Sequence, residues 1–353
     1  MKKLQLVFLF MYSMSLFAQN GLPKDIAISG YTEAYYGYNF ANPSNHENSN
    51  FLYNYKRHNE LAINLAMIKV AYNNEGVRGN FGLMAGSYAQ YNLANEPTWA
   101  QFIYESNIGF KVSKKKNIWI DAGVMPSHIG FESAIGADSY NLSRSILAEN
   151  SPYYETGVRL SYTSKNEKLY AAILALNGWQ KIQMPNDIQR PSFGAQLTYK
   201  PTDKITINYS NFLGSDKPDI LNAHRLFQDA YVIYEPTKKI SVVFGFDFGI
   251  EKHLPNKNAY WYSPIIVAKY NLNDKSKIAC RVEHYNDANQ IIISTNTANG
   301  FQTYGFSANY DYAIRKNLLW RIEAKHFLSK DKIFDNNLHH NNNNLLTSLS
   351  LKW

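Results

Sequence analysis

From residue 26 on, stretches of nine to fifteen residues alternate apolar with polar or small side chains. That is the period of a β-strand whose two faces meet different surroundings. Residues 240–251 show it best: Ile240, Val242, Phe244, Phe246, Phe248 and Ile250 share one face, and Ser241, Gly245, Asp247, Gly249 and Glu251 share the other with Val243. The same reading predicts sixteen strands, at roughly 26–39, 57–72, 77–91, 101–112, 117–126, 153–163, 168–179, 193–200, 204–213, 226–235, 240–251, 259–271, 276–286, 301–313, 317–328 and 345–353. Those at 168–179 and 226–235 alternate poorly.

The connections alternate in length. Seven are tight turns such as Asn73-Asn74-Glu75-Gly76, Pro201-Thr202-Asp203 and Arg315-Lys316, built from turn-forming residues. Eight long connections separate them, near 40–56, 92–100, 127–152, 180–192, 214–225, 252–258, 287–300 and 329–344. An even strand count with short turns at one end and long loops at the other is the layout of an outer-membrane barrel; a soluble sandwich has no reason to segregate its loops. The predicted fold is therefore all-β: a closed antiparallel transmembrane barrel of about sixteen strands.

Composition excludes the main competitors. The one apolar run near the length of a helical span is at the start of the chain, which rules out a polytopic helical membrane protein. A single cysteine, Cys280, rules out a disulfide framework. Mean hydropathy is −0.39 although 27 Tyr contribute to an aromatic share of 15%. Met1-Lys2-Lys3, an apolar run from Leu4 to Phe17 and Ala18 form the layout of a secretory signal. Residues 1–18 are expected to be cleaved, leaving 19–353 as one barrel domain. The net charge of +8 is scattered, with Lys114-Lys115-Lys116 the longest run, so no nucleic-acid patch is expected.

On this register the outward residues sort by depth. Tyr36, Tyr38, Tyr91, Phe102, Tyr104, Tyr154, Tyr260, Tyr262 and Tyr304 fall at the long-loop rim; Phe110, Tyr162, Tyr199, Tyr270, Tyr310, Tyr312, Trp320 and Trp353 fall at the short-turn rim. Aromatic girdles at both interfaces are expected of a membrane barrel. Inward parity selects Glu60, Arg78, Glu105, Lys111, Asp121, Glu155, Arg159, Arg281, Glu283, Arg321, Glu323 and Lys325 as pore-lining candidates. Both signs of charge occur among them, so strong ion selectivity is not evident.

The long connection 127–152 carries Phe131, Ile135, Leu142, Ile146 and Leu147, which must be buried somewhere. Two destinations remain open on sequence: the lumen, with Glu132, Asp138, Arg144 and Glu149 forming a constriction, or a lid over the mouth.

Arg57-His58-Asn59-Glu60, Ala85-Gly86-Ser87-Tyr88-Ala89-Gln90, Glu96-Pro97, the run from Pro126 to Tyr154, and Asn177-Gly178-Trp179-Gln180 resemble the OmpL-like β-barrel porins over nearly the whole mature chain. The resemblance implies an outer-membrane porin of a Gram-negative bacterium passing small hydrophilic solutes or ions by passive diffusion. It carries over no ligand residues and no cofactor.

Catalytic and metal readings find little support. His339-His340 lies in an Asn-rich loop, His284 and His326 face outward, His128 is placed near the pore, and no ligand spacing fits zinc. Cys280 is expected to face lipid. An outer-membrane lipid hydrolase needs a nucleophile and base in reach, and no outward Ser clearly partners His284 or His326; no G-x-S-x-G motif occurs. A closed barrel acting as adhesin or scaffold is the remaining alternative. Expected partners are outer-membrane lipid, small hydrophilic solutes and the barrel assembly machinery, which would read the terminal strand ending in Trp353.

Overall fold

The computed structural model describes residues 23–353 apart from 255, 256 and 336; the predicted signal segment 1–18 lies outside the described residues. Sixteen antiparallel strands close on themselves, β1 pairing with β16 and every other strand with its sequence neighbours. They are β1 Ile26–Asn39, β2 Leu61–Asn74, β3 Val77–Ala85, β4 Ile103–Lys111, β5 Asn117–Pro126, β6 Tyr154–Thr163, β7 Leu169–Leu176, β8 Ser192–Thr202, β9 Ile205–Gly214, β10 Arg225–Tyr234, β11 Ile240–Leu254, β12 Lys257–Asn271, β13 Ser276–Asp287, β14 Phe301–Arg315, β15 Leu318–Ser329 and β16 Asn341–Lys352. Closure leaves no unpaired edge, the condition for crossing lipid without helices. At the seam, Gly30 and Trp353 exchange backbone hydrogen bonds of 2.9 and 3.0 Å.

The predicted alternation holds along most strands. Ile108, Ile173, Phe244, Ile266 and Leu349 are exposed on the outer surface, as a belt facing hydrocarbon requires. Phe102, Tyr260 and Tyr304 are exposed at one rim, and Phe110, Tyr199, Trp320 and Trp353 at the other. Cys280 is exposed as expected.

Four local expectations fail, one of them Tyr104, which a register shift between Gly82 and Leu83 turns from the lipid rim onto the interior cluster of Leu65, Met84 and Tyr88. Residues 86–91 do not extend β3: the strand stops at Ala85, and Ser87–Asn92 forms a short helix, α1. Gly86 causes the break. Its φ is +119, and a Cβ there would stand 2.6 Å from the Asn64 carbonyl oxygen, so only glycine fits. Tyr91, on α1, consequently leaves the lipid rim and donates to Glu47 at 2.7 Å. Tyr154 also leaves the rim; it is buried under the loops, with its hydroxyl 3.1 Å from Glu96.

The strands that alternate poorly have a physical reason to do so. In β7 the inward residues Ala172, Leu174 and Leu176 are apolar because they pack against Ile129 of the long loop. In β10 the inward Phe227 meets Trp179 and Trp261, while Tyr231 meets Phe131. On these two strands apolar inward residues mark where loop side chains pack.

Candidate functional site: the loop-filled barrel lumen

Loop 127–152 enters the barrel. It leaves β5 and is pinned first on the β6 and β9–β10 walls by His128. The ring Nδ1 lies 2.6 Å from Glu155 and Nε2 lies 2.8 Å from the Asn211 carbonyl. The carboxylate and the carbonyl are both acceptors, an arrangement that favours the doubly protonated imidazole. Burial alone lowers its pKa, but Glu155 and the Asn211 carbonyl outweigh burial and the net shift is upward. Ser210 then donates to the His128 carbonyl at 2.7 Å.

The loop crosses next to the β13–β15 wall, where the inward charges grip its backbone. Glu323 accepts from the Ser143 amide and hydroxyl, and Glu283 from the Ile146 amide. Lys325 donates to the Arg144 carbonyl at 2.9 Å, and Arg281 to the Ser143 carbonyl at 2.8 Å. Arg321 is the strongest clamp. It forks onto Asp311 at 2.6 and 3.1 Å and donates to the carbonyls of Gly136, Ser139 and Tyr140 at 2.7, 3.1 and 3.0 Å.

These contacts correct the expected pore lining. Arg281, Glu283, Arg321, Glu323 and Lys325 do point inward, yet none lines water: all are buried beneath the loop. Glu155 is likewise buried with His128. Glu60 sits at the long-loop mouth, paired with Arg57 at 2.7 Å, and Lys111 is exposed at the opposite rim. Parity places a side chain on a face; it does not say what covers it. Of the expected lining residues on the wall, Arg78 and Arg159 keep contact with water, with Glu105 and Asp121 buried behind cations.

The four constriction candidates also separate. Arg144 is fully buried and braces its own loop, donating to the carbonyls of Ser133, Leu142 and Ala134 at 2.6–3.0 Å. Ser145 caps the second helical turn α2, Ile146–Glu149, by accepting from the Ala148 amide, and Glu132 holds that cap by accepting from the Ser145 amide and hydroxyl while lying 3.6 Å from Arg281. Glu149 ties in the first long loop, accepting from the amides of Tyr53 and Asn54 at 2.8 and 3.1 Å. Burial pushes its carboxyl pKa up, against the pull of those amides. Asp138 alone stays half exposed, at the tip of the loop, 2.7 Å from Lys352 near the short-turn rim. The loop therefore reaches from the outer mouth, where Glu149 sits, almost to the opposite end.

At the outer mouth Phe51 packs among Phe301, Phe327 and Phe334, an apolar seal over the β13–β15 side that sequence parity did not reveal. Space remains along the β3–β6 wall. One cavity of about 220 Å³ lies between the loop and the wall, bounded by Met84, Tyr88, Ile103, Phe131 and Tyr153. Another of about 240 Å³ opens toward the mouth beside Tyr53, Glu149 and Trp179; Tyr154 borders both. Among the described residues no cluster of His, Cys, Asp and Glu is arranged to hold a metal ion.

The barrel superposes on solved outer-membrane proteins over nearly its full length. It is similar to the outer membrane channel DcaP of Acinetobacter baumannii (TM-score 0.63, 8% identity, covering 93% of this chain and 97% of that one). It is similar too to an anion-selective porin from Comamonas acidovorans (TM-score 0.61, 8% identity, 93% and 99%) and to OmpF of Salmonella typhi in complex with daunomycin (TM-score 0.58, 11% identity, 94% and 99%). At such identities the likeness is one of fold. No curated protein sequence matches the chain. The model of the family described as "Putative beta-barrel porin-2, OmpL-like" matches residues 25–352, so the chain belongs to that family of porins and is an outer-membrane β-barrel of the channel type.

Proposed function

We propose that the protein conducts small hydrophilic solutes by passive diffusion through a route that runs from the long-loop mouth down the β3–β6 wall of the barrel. Loop 127–152 is the constriction. The observation carrying this reading is the loop's course: it is clamped to the β13–β15 wall by buried charges and leaves two cavities, one against β3–β6 and one at the mouth between Tyr53, Trp179 and Arg225, with Tyr154 bordering both. Tyr88, Phe131 and Tyr153 bound the narrow part of that route, with Glu149 at its outer end. A sixteen-strand barrel is too wide for wall side chains alone to fill, so an inserted loop is what sets the bore.

The leader 1–18 is removed after Ala18 during export. The terminal strand, whose last residue closes the seam against Gly30, is the segment the barrel assembly machinery engages, and outer-membrane lipid meets the exposed apolar belt. The test is ion conductance of the purified, heat-modifiable barrel in a planar bilayer. Stepwise conductance is expected, larger and less restricted when 132–148 is deleted. A correctly folded barrel that never conducts overturns the channel reading, and a conductance unchanged by the deletion overturns the role given to the loop.

A further inference from the structure

Along the β2–β6 wall, the charges that face water in the lumen are of one sign. Arg78 on β3, Gly109 on β4, Asp121 on β5 and Arg159 on β6 occupy one register row across the wall. Gly109 has no side chain, and a Cβ there would collide with the Asp121 carboxylate and the Ile120 carbonyl. Through that gap Arg78 reaches across β4 and takes both oxygens of Asp121, at 2.6 Å each. Arg159 shares the same carboxylate at 3.3 Å. Two guanidinium groups thus converge on one carboxylate and leave one positive charge unmatched. A second row repeats the device. Lys69 on β2 pairs with Glu105 on β4 at 2.5 Å, across Gly82 on β3.

In both rows the cation is in front. The side chains of Lys69, Arg78 and Arg159 are 28%, 31% and 22% exposed, whereas those of Glu105 and Asp121 are 4% and 2% exposed. A passing solute therefore meets ammonium and guanidinium groups, with the carboxylates screened behind them. Trp119 holds the Arg78 guanidinium 4.2 Å from its ring, so the plane of donors is fixed. The Arg159 Nε is buried and has no hydrogen-bond partner; buried donors are rarely left so. Lys269, on the facing wall, stacks on Tyr140 at 4.0 Å and forms no ion pair among the described residues. The acids of the loop are already engaged: Glu132 by Ser145 and Arg281, Asp138 by Lys352.

We infer that the channel prefers anions, and that Arg78 and Arg159 form a site for a small oxyanion, carboxylate or phosphate, on its way through. Guanidinium pairs with free, fixed donors match the two-oxygen edge of such groups better than any cation or neutral solute. Lys114, Lys115, Lys116, Arg315 and Lys316 in the short turns at the same end add to the field that concentrates anions there. This inference rests on the channel reading and specifies its solute class.

Reversal potentials in a KCl gradient test it, with isothermal titration of inorganic phosphate into the solubilised barrel as an arm independent of conduction. Wild type is expected to pass chloride over potassium and to bind phosphate. R78Q/R159Q should lower the chloride-to-potassium permeability ratio at least about twofold and abolish the phosphate heat. Lys330→Gln, an exposed lysine at the long-loop end of β15, should leave phosphate binding intact. Should the double variant not fold, R159Q alone must move both readouts in the same direction. Cation preference in wild type, or a ratio and phosphate heat unmoved by the variants, overturns the inference. A barrel that conducts nothing overturns the channel reading, and phosphate binding then stands or falls on the calorimetry alone.

Discussion

Arg321 is where the loop is held most firmly, and replacing it should free the loop without opening the barrel. Its side chain is fully buried, forks onto Asp311 and supplies the donors for three loop carbonyls between Gly136 and Tyr140. In Arg321→Met the Ser139 and Tyr140 carbonyls lose the guanidinium, the Gly136 carbonyl keeps only the Ser139 amide, and Asp311 loses its counter-charge. Removing one member of a buried pair costs about 3–5 kcal/mol. Asp311 keeps the Asn309 amide at 2.7 Å, which favours the lower end. The cheapest response is for residues 136–140 to leave the wall and regain water. A loss of about 3 kcal/mol raises the population of the detached loop roughly a hundredfold. Single-channel recording should then show frequent excursions to a larger conductance, and a protease should cut within 136–140 before it cuts wild type. Arg321→Lys keeps the charge but not the fork, so it should fall between the two. Arg315→Met, an exposed turn residue that donates only to its neighbour's carbonyl, is the control. A folded Arg321→Met barrel with wild-type conductance, noise and protease resistance would refute the idea that this clamp holds the loop in the lumen.

Other perturbations follow from the same contacts. His128 has a folded pKa raised above its ordinary value of about 6.5; its stabilisation is complete below that value and is lost as pH climbs through the raised one. Loop proteolysis should accordingly increase from neutral to alkaline pH, and H128N should flatten that dependence. Glu149→Ala leaves the buried amides of Tyr53 and Asn54 unpaired, at about 1–3 kcal/mol, and should expose 49–56 to protease while the barrel stays heat-modifiable. Gly86→Ala forces a Cβ against the Asn64 carbonyl at a backbone angle that costs about 1–3 kcal/mol; a lower thermal midpoint is expected, and an unchanged one would show that β2 and α1 adjust freely. Removing Trp353 deletes two seam hydrogen bonds with Gly30 and should reduce the yield of assembled barrel in the outer membrane.

What the residues themselves determine is the wall. A period of two, even strand count and segregated connection lengths are consequences of a sheet that closes between lipid and an interior, and each can be read locally because neighbouring strands are neighbours in sequence. Hence the strand order, the lipid belt and most of both girdles were legible, as was the burial demand of loop 127–152. The expected lining of Arg281, Arg321 and Lys325 was right about the face and wrong about the medium. Their partners lie far away in the chain: Arg321 is 185 positions from Gly136, and no periodicity links them. The apolar inward residues Ala172, Leu174 and Leu176 of β7 and Phe227 and Tyr231 of β10 were the one signal available, and they read as poor alternation because a side chain covered by a loop need not be polar. Tertiary structure alone decided that the loop descends through the lumen, that Glu105 and Asp121 retreat behind cations, and that Gly109 opens the gap through which Arg78 crosses. The physical reason is that a barrel's wall is specified by nearest-neighbour pairing, whereas the contents of its lumen are specified by contacts between distant segments, and those set what passes.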